Sequence, residues 1–304
     1  MVAVSNDGRT LAITHWGDNT VGFLDISDPD FHKWHHEAPV TVGGKQKLNY
    51  SLSEKVDRDV DAGYKLRGTC FLPGDSLLLV SAMSGCVAVI DVPRHRWLGW
   101  ISNLVSVRHI IENNGIVYFS RNMAGEVLSM PVDSVVAAVR RGTAPEGGDK
   151  MKRFGVKAGG LRICRVGGGA RTIEISHSGR FLFAACNLAS AIYVVDTQTM
   201  EVLMQVQVDS YPVGLDVSPF GDHVTVTSQG RNGHGGQSVN CFDVTYSEPE
   251  WLPEVEDKGA AKREVAEKKQ SDKEIMHTIF VGALLLGLLA FLAIMFYPRK
   301  RRMD

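Results

Sequence analysis

Apolar and polar positions alternate in short runs along most of this chain, and the runs come in groups. The clearest groups lie in residues 171–244, where one pattern occurs twice. The first copy reads RTIEISHSGRFLFAACNLASAIYVVDTQTMEVLMQVQVD. The second opens PVGLDVSPFGDHVTVTSQG and closes SVNCFDV. Each copy holds an alternating run, a tight turn with Gly, a second alternating run, a small-polar break and a third run ending in Asp. Alternation with period two puts the apolar side chains on one face of a strand. A unit of this kind is a small antiparallel sheet that cannot bury both of its faces alone.

The same unit recurs upstream. MVAVSNDGRTLAITHWGDNTVGFLDIS gives an innermost strand at Val2–Val4, a hairpin turn at Asn6-Asp7-Gly8, a second strand at 11–13 and a third at 21–26 with Asp25 near its end. Residues 28–66 interrupt the pattern with Phe31-His32-Lys33-Trp34-His35-His36, an outer strand around 40–42 and a polar stretch. TCFLPGDSLLLVSAMSGCVAVIDV (69–92), with an outer strand near 97–101, and VRHIIENNGIVYFSRNMAGEVLSMPV (107–132) resume it. Residues 133–160 form a second insertion, helix-prone at 134–139, and 161–166 supply another outer strand. About five such units occupy residues 1–245, and repeating them around an axis buries their faces. The prediction is an all-β fold, a β-propeller of four-stranded blades.

After residue 245 the composition changes. Residues 246–274 are charged and read as a solvated linker. Residues 275–297 are apolar apart from His277 and Thr278, long enough to cross a bilayer as a helix. Pro298 and Arg299-Lys300-Arg301-Arg302 follow, a basic stop-transfer cluster that assigns residues 298–304 to the cytoplasm. The propeller is then expected on the periplasmic or extracellular side of the membrane. Ala283 and Gly287 give a small-xxx-small spacing in the span. The first residues carry no basic and apolar leader, and the repeat starts without its lead-in. Together these point to a missing N-terminal portion.

A formal charge of −1 gives no global attraction to nucleic acid. The five cysteines, Cys70, Cys86, Cys164, Cys186 and Cys241, fall in predicted strands without CxxC spacing, which reads as buried thiols rather than a disulfide frame or metal site.

The repeats resemble the YVTN-type (YncE-like) β-propeller family, whose unit runs roughly V-x-V-S-P-D-G-x-x-L-Y-V-T-N followed by V-x-V-I-D. The matching stretches are VAVSNDGRTLAIT, LDVSPFGDHVTVT and IEISHSGRFLFAACN, with the third-strand endings FLDIS, VAVIDV and YVVDT. The resemblance implies a propeller, commonly seven-bladed, often exported, and used for binding or as a scaffold. Fewer visible blades and no export signal depart from that pattern. Seven-bladed lactonases share a related fold, so a lactonase-like hydrolase at the channel mouth stands as the alternative, although fold alone does not license an activity.

Antiparallel connectivity sorts the candidate residues by face. Innermost strands begin, and second strands end, on one face of the disc, while the Gly turns lie on the other. Arg67, Arg108 and Arg171 fall at or near the starts of innermost strands, and His15, Asn122, Asn187 and Gln229 at the ends of second strands. Arginine offers a planar fork suited to carboxylate or phosphate. This face is therefore expected to bind an anionic ligand or an anionic segment of a partner protein. Alternatively, the arginines pair with acids on neighbouring blades and stiffen the rim. No catalytic set, cofactor or metal site is assigned. His32, His35 and His36 lack an accompanying carboxylate or Cys at ligand spacing, and no GxSxG context surrounds a serine. His109, His177 and His223 read as structural, the loop 230–236 as a flexible surface turn, and Asp25, Asp91, Asp196 and Asp243 as caps of the following turns.

Overall fold

The computed structural model describes residues 1–43, 64–83, 86–101, 103–141, 153–154 and 160–246. The predicted linker beyond Tyr246, the apolar span 275–297 and the basic tail 298–304 lie outside the described residues. Among the described residues no helix is long and apolar enough to cross a membrane.

The alternating runs form five antiparallel sheets in chain order. The first comprises β1 (Val2–Val4), β2 (Thr10–Thr14), β3 (Thr20–Asp25) and β4 (His35–Thr41). The second comprises β5 (Leu66–Phe71), β6 (Leu77–Ala82), β7 (Val87–Asp91) and β8 (Arg96–Ile101). A fifth strand, β12 (Arg153–Phe154), runs parallel to β8 at its edge. The third is β9 (Val107–Asn113), β10 (Ile116–Arg121), β11 (Glu126–Pro131) and β13 (Arg162–Arg165). The fourth is β14 (Ala170–Ile175), β15 (Phe181–Cys186), β16 (Ala191–Asp196) and β17 (Glu201–Gln207), and the last is β18 (Pro212–Val217), β19 (His223–Ser228) and β20 (Ser238–Asp243). The innermost strands β1, β5, β9, β14 and β18 neighbour one another in succession, the blade arrangement of a β-propeller.

The core lies between sheets, as alternation demands. On β6, Leu78, Val80 and Ala82 pack with Ala12, Val21 and Phe23 of the first blade. Leu79, one register step away, packs with Val117, Phe119, Leu128 and Met130 of the third. Blades three and four share Tyr118, Val127, Ile173, Leu182 and Ala184, and blades four and five share Phe183, Ala185, Ile192, Leu215 and Val226. The 133–160 insertion opens as α1 (Val132–Arg141), which sends Val135 and Ala138 into the cluster between blades two and three. Val2 and Val4 on the first sheet and Val239 on the last are exposed.

The turns behave as the residues require. Gly8 adopts φ +71° in the first hairpin, a conformation that glycine reaches without steric cost. On that turn face the Asp75 carboxylate accepts from the backbone N–H groups of Asn6 (2.8 Å) and Asp7 (3.0 Å), lacing blade one to blade two. Three of the four third-strand aspartates cap their turns. Asp25 accepts from Ser27 N–H, Asp91 from Arg94 N–H, and Asp196 from Gln198 and Thr199 N–H. Asp243 instead faces His223 Nε2 at 3.1 Å on the exposed last strand. Cys86 precedes β7 rather than lying in a strand and is half-buried. Cys241 is exposed on the outer side of β20, so the expectation of uniformly buried thiols holds for Cys70, Cys164 and Cys186 alone.

Candidate functional site

The three arginines occupy one repeated position. Each is the second residue of its innermost strand: Arg67 on β5, Arg108 on β9 and Arg171 on β14. A hydroxyl from the preceding blade grips the carbonyl of each. Thr14 Oγ1 donates to Arg67 O (2.7 Å), Ser81 Oγ to Arg108 O (3.3 Å) and Ser120 Oγ to Arg171 O (2.5 Å). All three hydroxyls sit on the fifth residue of a second strand. In the next blade Ala185 holds that place, and Thr172 Oγ1 reaches Val213 O instead (2.7 Å). Val213 takes the arginine's place on β18. Gly68 permits the close approach of β5 to β9, because a Cβ there would stand 2.8 Å from both Arg108 O and His109 Cα.

The latches fix the strand starts that carry three half-buried guanidiniums, whose fields overlap. Burial, followed by the charges of Arg108 and Arg171, lowers the Arg67 pKa to about 10. Arg171 is likewise lowered to about 10 by burial and then by Arg108, and burial lowers Arg108. All three stay cationic near neutral pH. Among the described residues none of the three has a carboxylate within ion-pair distance. The acids on adjacent segments are committed elsewhere. Asp18 accepts from Thr20, and Asp209 from Ser210, Gly236 and Ser238. Glu174, three residues beyond Arg171, accepts from Ile175 N–H. Burial, with a smaller push from Asp216, raises its pKa, the reverse of what a guanidinium partner would do. Rim pairing with acids on neighbouring blades is thus not what these arginines do within the described residues.

Aromatic and amide groups border the cations. The Arg67 guanidinium lies 3.8 Å from the Trp16 ring centroid, and its Nε is buried without a hydrogen-bond partner. Arg108 Nη1 points to Met83 Sδ at 3.6 Å. The Tyr211 phenol lies in the fields of Arg108 and Arg171, and the Arg231 guanidinium stands 5.8 Å from its ring centroid.

The second-strand residues divide. Asn122 is buried and donates through Nδ2 to Ala170 O (3.1 Å), bracing the residue before Arg171. Asn187 is buried with Oδ1 unpartnered, and Gln229 is exposed with its backbone N–H on Tyr211 O (3.1 Å). The imidazole of His15 bonds Thr20 Oγ1 through Nδ1 (2.7 Å), and its neighbour Trp16 makes the arginine contact. Trp16, Met83, Asn122, Asn187 and Gln229 each stand two residues beyond the fifth position of a second strand. That spacing is the signal that could have found Trp16 and Met83. Guanidinium, amide, phenol and indole groups bind anions well and are poor general bases.

The other candidates resolve into local structure. His32 lies in a 3-10 turn, Phe31–Lys33, while His35 and His36 begin β4, with His35 Nε2 3.7 Å from Asp25. Among the described residues no group of three or more His, Cys, Asp or Glu is placed to hold a metal. The His109 Nδ1 sits 3.0 Å from Ile173 O, and burial lowers its pKa to about 4, so the ring is neutral. His223 lies between Asp222 (2.8 Å) and Asp243. The glycine-rich loop is pinned rather than loose. Gly236 N–H donates to Asp209 (2.9 Å), Gly230 N–H to Ser210 O (2.9 Å), and Arg231 pairs with His234. The chain's own carboxylate thus takes the Gly236 N–H that a phosphate would need.

No family model matches the chain, and no curated protein matches it. Solved structures do resemble it. Hydrazine synthase of Kuenenia stuttgartiensis superposes with a TM-score of 0.57 at 16% identity over 80% of this chain and 62% of that one. A functionally unknown protein from Desulfotomaculum acetoxidans DSM 771 gives 0.54 at 14% identity over 80% and 65%. The β-propeller domain of Cps50 (Swd1) from Myceliophteria thermophila gives 0.53 at 13% identity over 82% and 66%. The chain therefore spans less than two thirds of each of these structures. At these identities the likeness shows the fold alone, a β-propeller.

Proposed function

We propose that this chain is a non-catalytic recognition module in which the β-propeller presents Arg67, Arg108 and Arg171 to an anionic group of a ligand or partner protein. The observation that carries this reading is three neighbouring arginines with half-buried guanidiniums, their backbone carbonyls gripped by Thr14, Ser81 and Ser120, and without a carboxylate partner among the described residues. Uncompensated cations on a rigid frame favour an incoming anion, since the cost of ordering them is met in folding rather than binding. In the same reading the repeats belong to the YVTN type. Residues 275–297 anchor the chain as a single-pass helix, with 298–304 in the cytoplasm and the propeller on the periplasmic or extracellular side.

Equilibrium binding of inorganic phosphate to the full chain tests the face. Replacing Arg108 and Arg171 together by Ala is expected to weaken binding by about a hundredfold or more, because each charge-assisted hydrogen bond contributes roughly 1.5–3 kcal/mol. Unchanged affinity would remove the arginines from any binding role. Alkaline carbonate extraction of membranes tests the anchor. The full chain should stay with the pellet and a chain ending at residue 274 should leave it; release of both would contradict an integral span.

A further inference from the structure

We propose that the arginine face is built for one compact oxyanion carrying two or more negative charges, held across adjacent blades, rather than for a monocarboxylate. This rests on the reading of the face as an anion site and adds the ligand's charge and size.

The argument begins with charge balance. Arg67, Arg108 and Arg171 come from three consecutive innermost strands that lie side by side, and no acid of the described chain neutralises them. Their fields overlap, since Arg67 feels both of the others and Arg171 feels Arg108. A monovalent ligand would relieve one charge and leave two like charges in mutual repulsion at partly desolvated positions. A polyvalent ligand relieves several at once and gains from every pair it bridges.

Rigidity points the same way. The hydroxyl latches hold the arginine carbonyls, and Gly68 lets β5 lie directly against β9, so the latched strand starts sit side by side. Trp16 acts as a positioning residue, with the Arg67 guanidinium lying against its ring, while the buried Arg67 Nε has no partner. Tyr211 adds a phenol within the fields of Arg108 and Arg171, and its own carbonyl is held by Gln229 N–H. Planar forks mounted on fixed strand starts of neighbouring blades match an anion with several oxygens in a small volume, because guanidinium–oxyanion pairing is planar and bidentate. Phosphoryl and carboxyl groups both supply such oxygens, so inorganic pyrophosphate and citrate serve as the two probes.

Titration calorimetry on the full chain at constant ionic strength decides the matter, with pyrophosphate, citrate and acetate as ligands. At least one of the two polyvalent probes should bind about a hundredfold more tightly than acetate, and which one does identifies phosphoryl or carboxyl chemistry. Arg67→Gln, Arg108→Gln and Arg171→Gln should each weaken that binding about tenfold. Arg171→Lys, which keeps the charge and loses the fork, should recover part of it if the fold is intact. Trp16→Leu should lower affinity without abolishing binding. Equal, arginine-dependent affinity for acetate and the polyvalent probes would overturn the polyvalent assignment and leave the anion site standing. Absence of any arginine-dependent binding would overturn both.

Discussion

The His109 side chain shares the blade-three–blade-four interface with the Ser120–Arg171 latch, and its protonation gives that interface a pH dependence. In the folded chain its pKa is about 4, because burial disfavours the cation and outweighs the Ile173 O contact at Nδ1, which acts the other way; an unfolded chain returns it to the ordinary value near 6.5. Between those values the unfolded chain binds the extra proton. The group's contribution is therefore fully present above about pH 6.5 and is lost as pH falls toward 4. Urea denaturation at pH 7 and pH 4.5 should show a loss of about 2–3 kcal/mol in the wild type and a clearly smaller one in His109→Gln; identical losses would exclude His109. Ser120 lies beneath the same contact, fully buried, accepting from His109 N–H and donating to Arg171 O. Ser120→Ala should cost about 1–3 kcal/mol, because both backbone groups lose a buried partner. The arginine positions were legible because strand starts follow from alternation and antiparallel order. Trp16 was not, because two residues past a strand end reads as loop until the spacing is compared between blades. The absence of ion-paired acids among the described residues was likewise beyond the sequence, which left pairing with acids on neighbouring blades open as the alternative.

Strand after strand followed its pattern because a glycine turn and a period of two leave little freedom in where each hairpin sits. β3, β7 and β16 end on the aspartates that mark them, and capping by Asp25, Asp91 and Asp196 gives the physical reason. The exception, Asp243, closes a sheet with no fourth strand among the described residues and meets His223 in place of a turn. The pairing of β12 with β8 was not legible, since two residues carry no periodicity and their partner lies more than fifty positions away. α1 was legible as a helix but not as a core element; its Val135 and Ala138 complete the cluster around Phe119. Phe119 is fully buried in that cluster, and Phe119→Ala should lower unfolding stability by about 3–5 kcal/mol. A loss below about 1 kcal/mol in urea titration would mean that the blades do not pack as described.

At the largest scale, the five sheets of the described residues share an organisation in which apolar faces meet between blades and one edge gathers the starts of the innermost strands. The edge collects cations because the same strand position, two residues in, is arginine in three consecutive blades and valine in the fifth. The repeat that builds the fold thus also multiplies the cation. Burial pushes the Cys70 and Cys186 thiols up to about 12, with Glu112 adding to the shift at Cys70, so both stay protonated near neutral pH. The measurement that tests the central claim most directly is a crystal of the protein soaked in tungstate, a divalent oxyanion that scatters anomalously. The account predicts an anomalous peak among the guanidiniums of Arg67, Arg108 and Arg171, lost in the Arg108→Ala, Arg171→Ala double variant. A map with tungstate bound elsewhere and a carboxylate of the chain seated among the three arginines would contradict it.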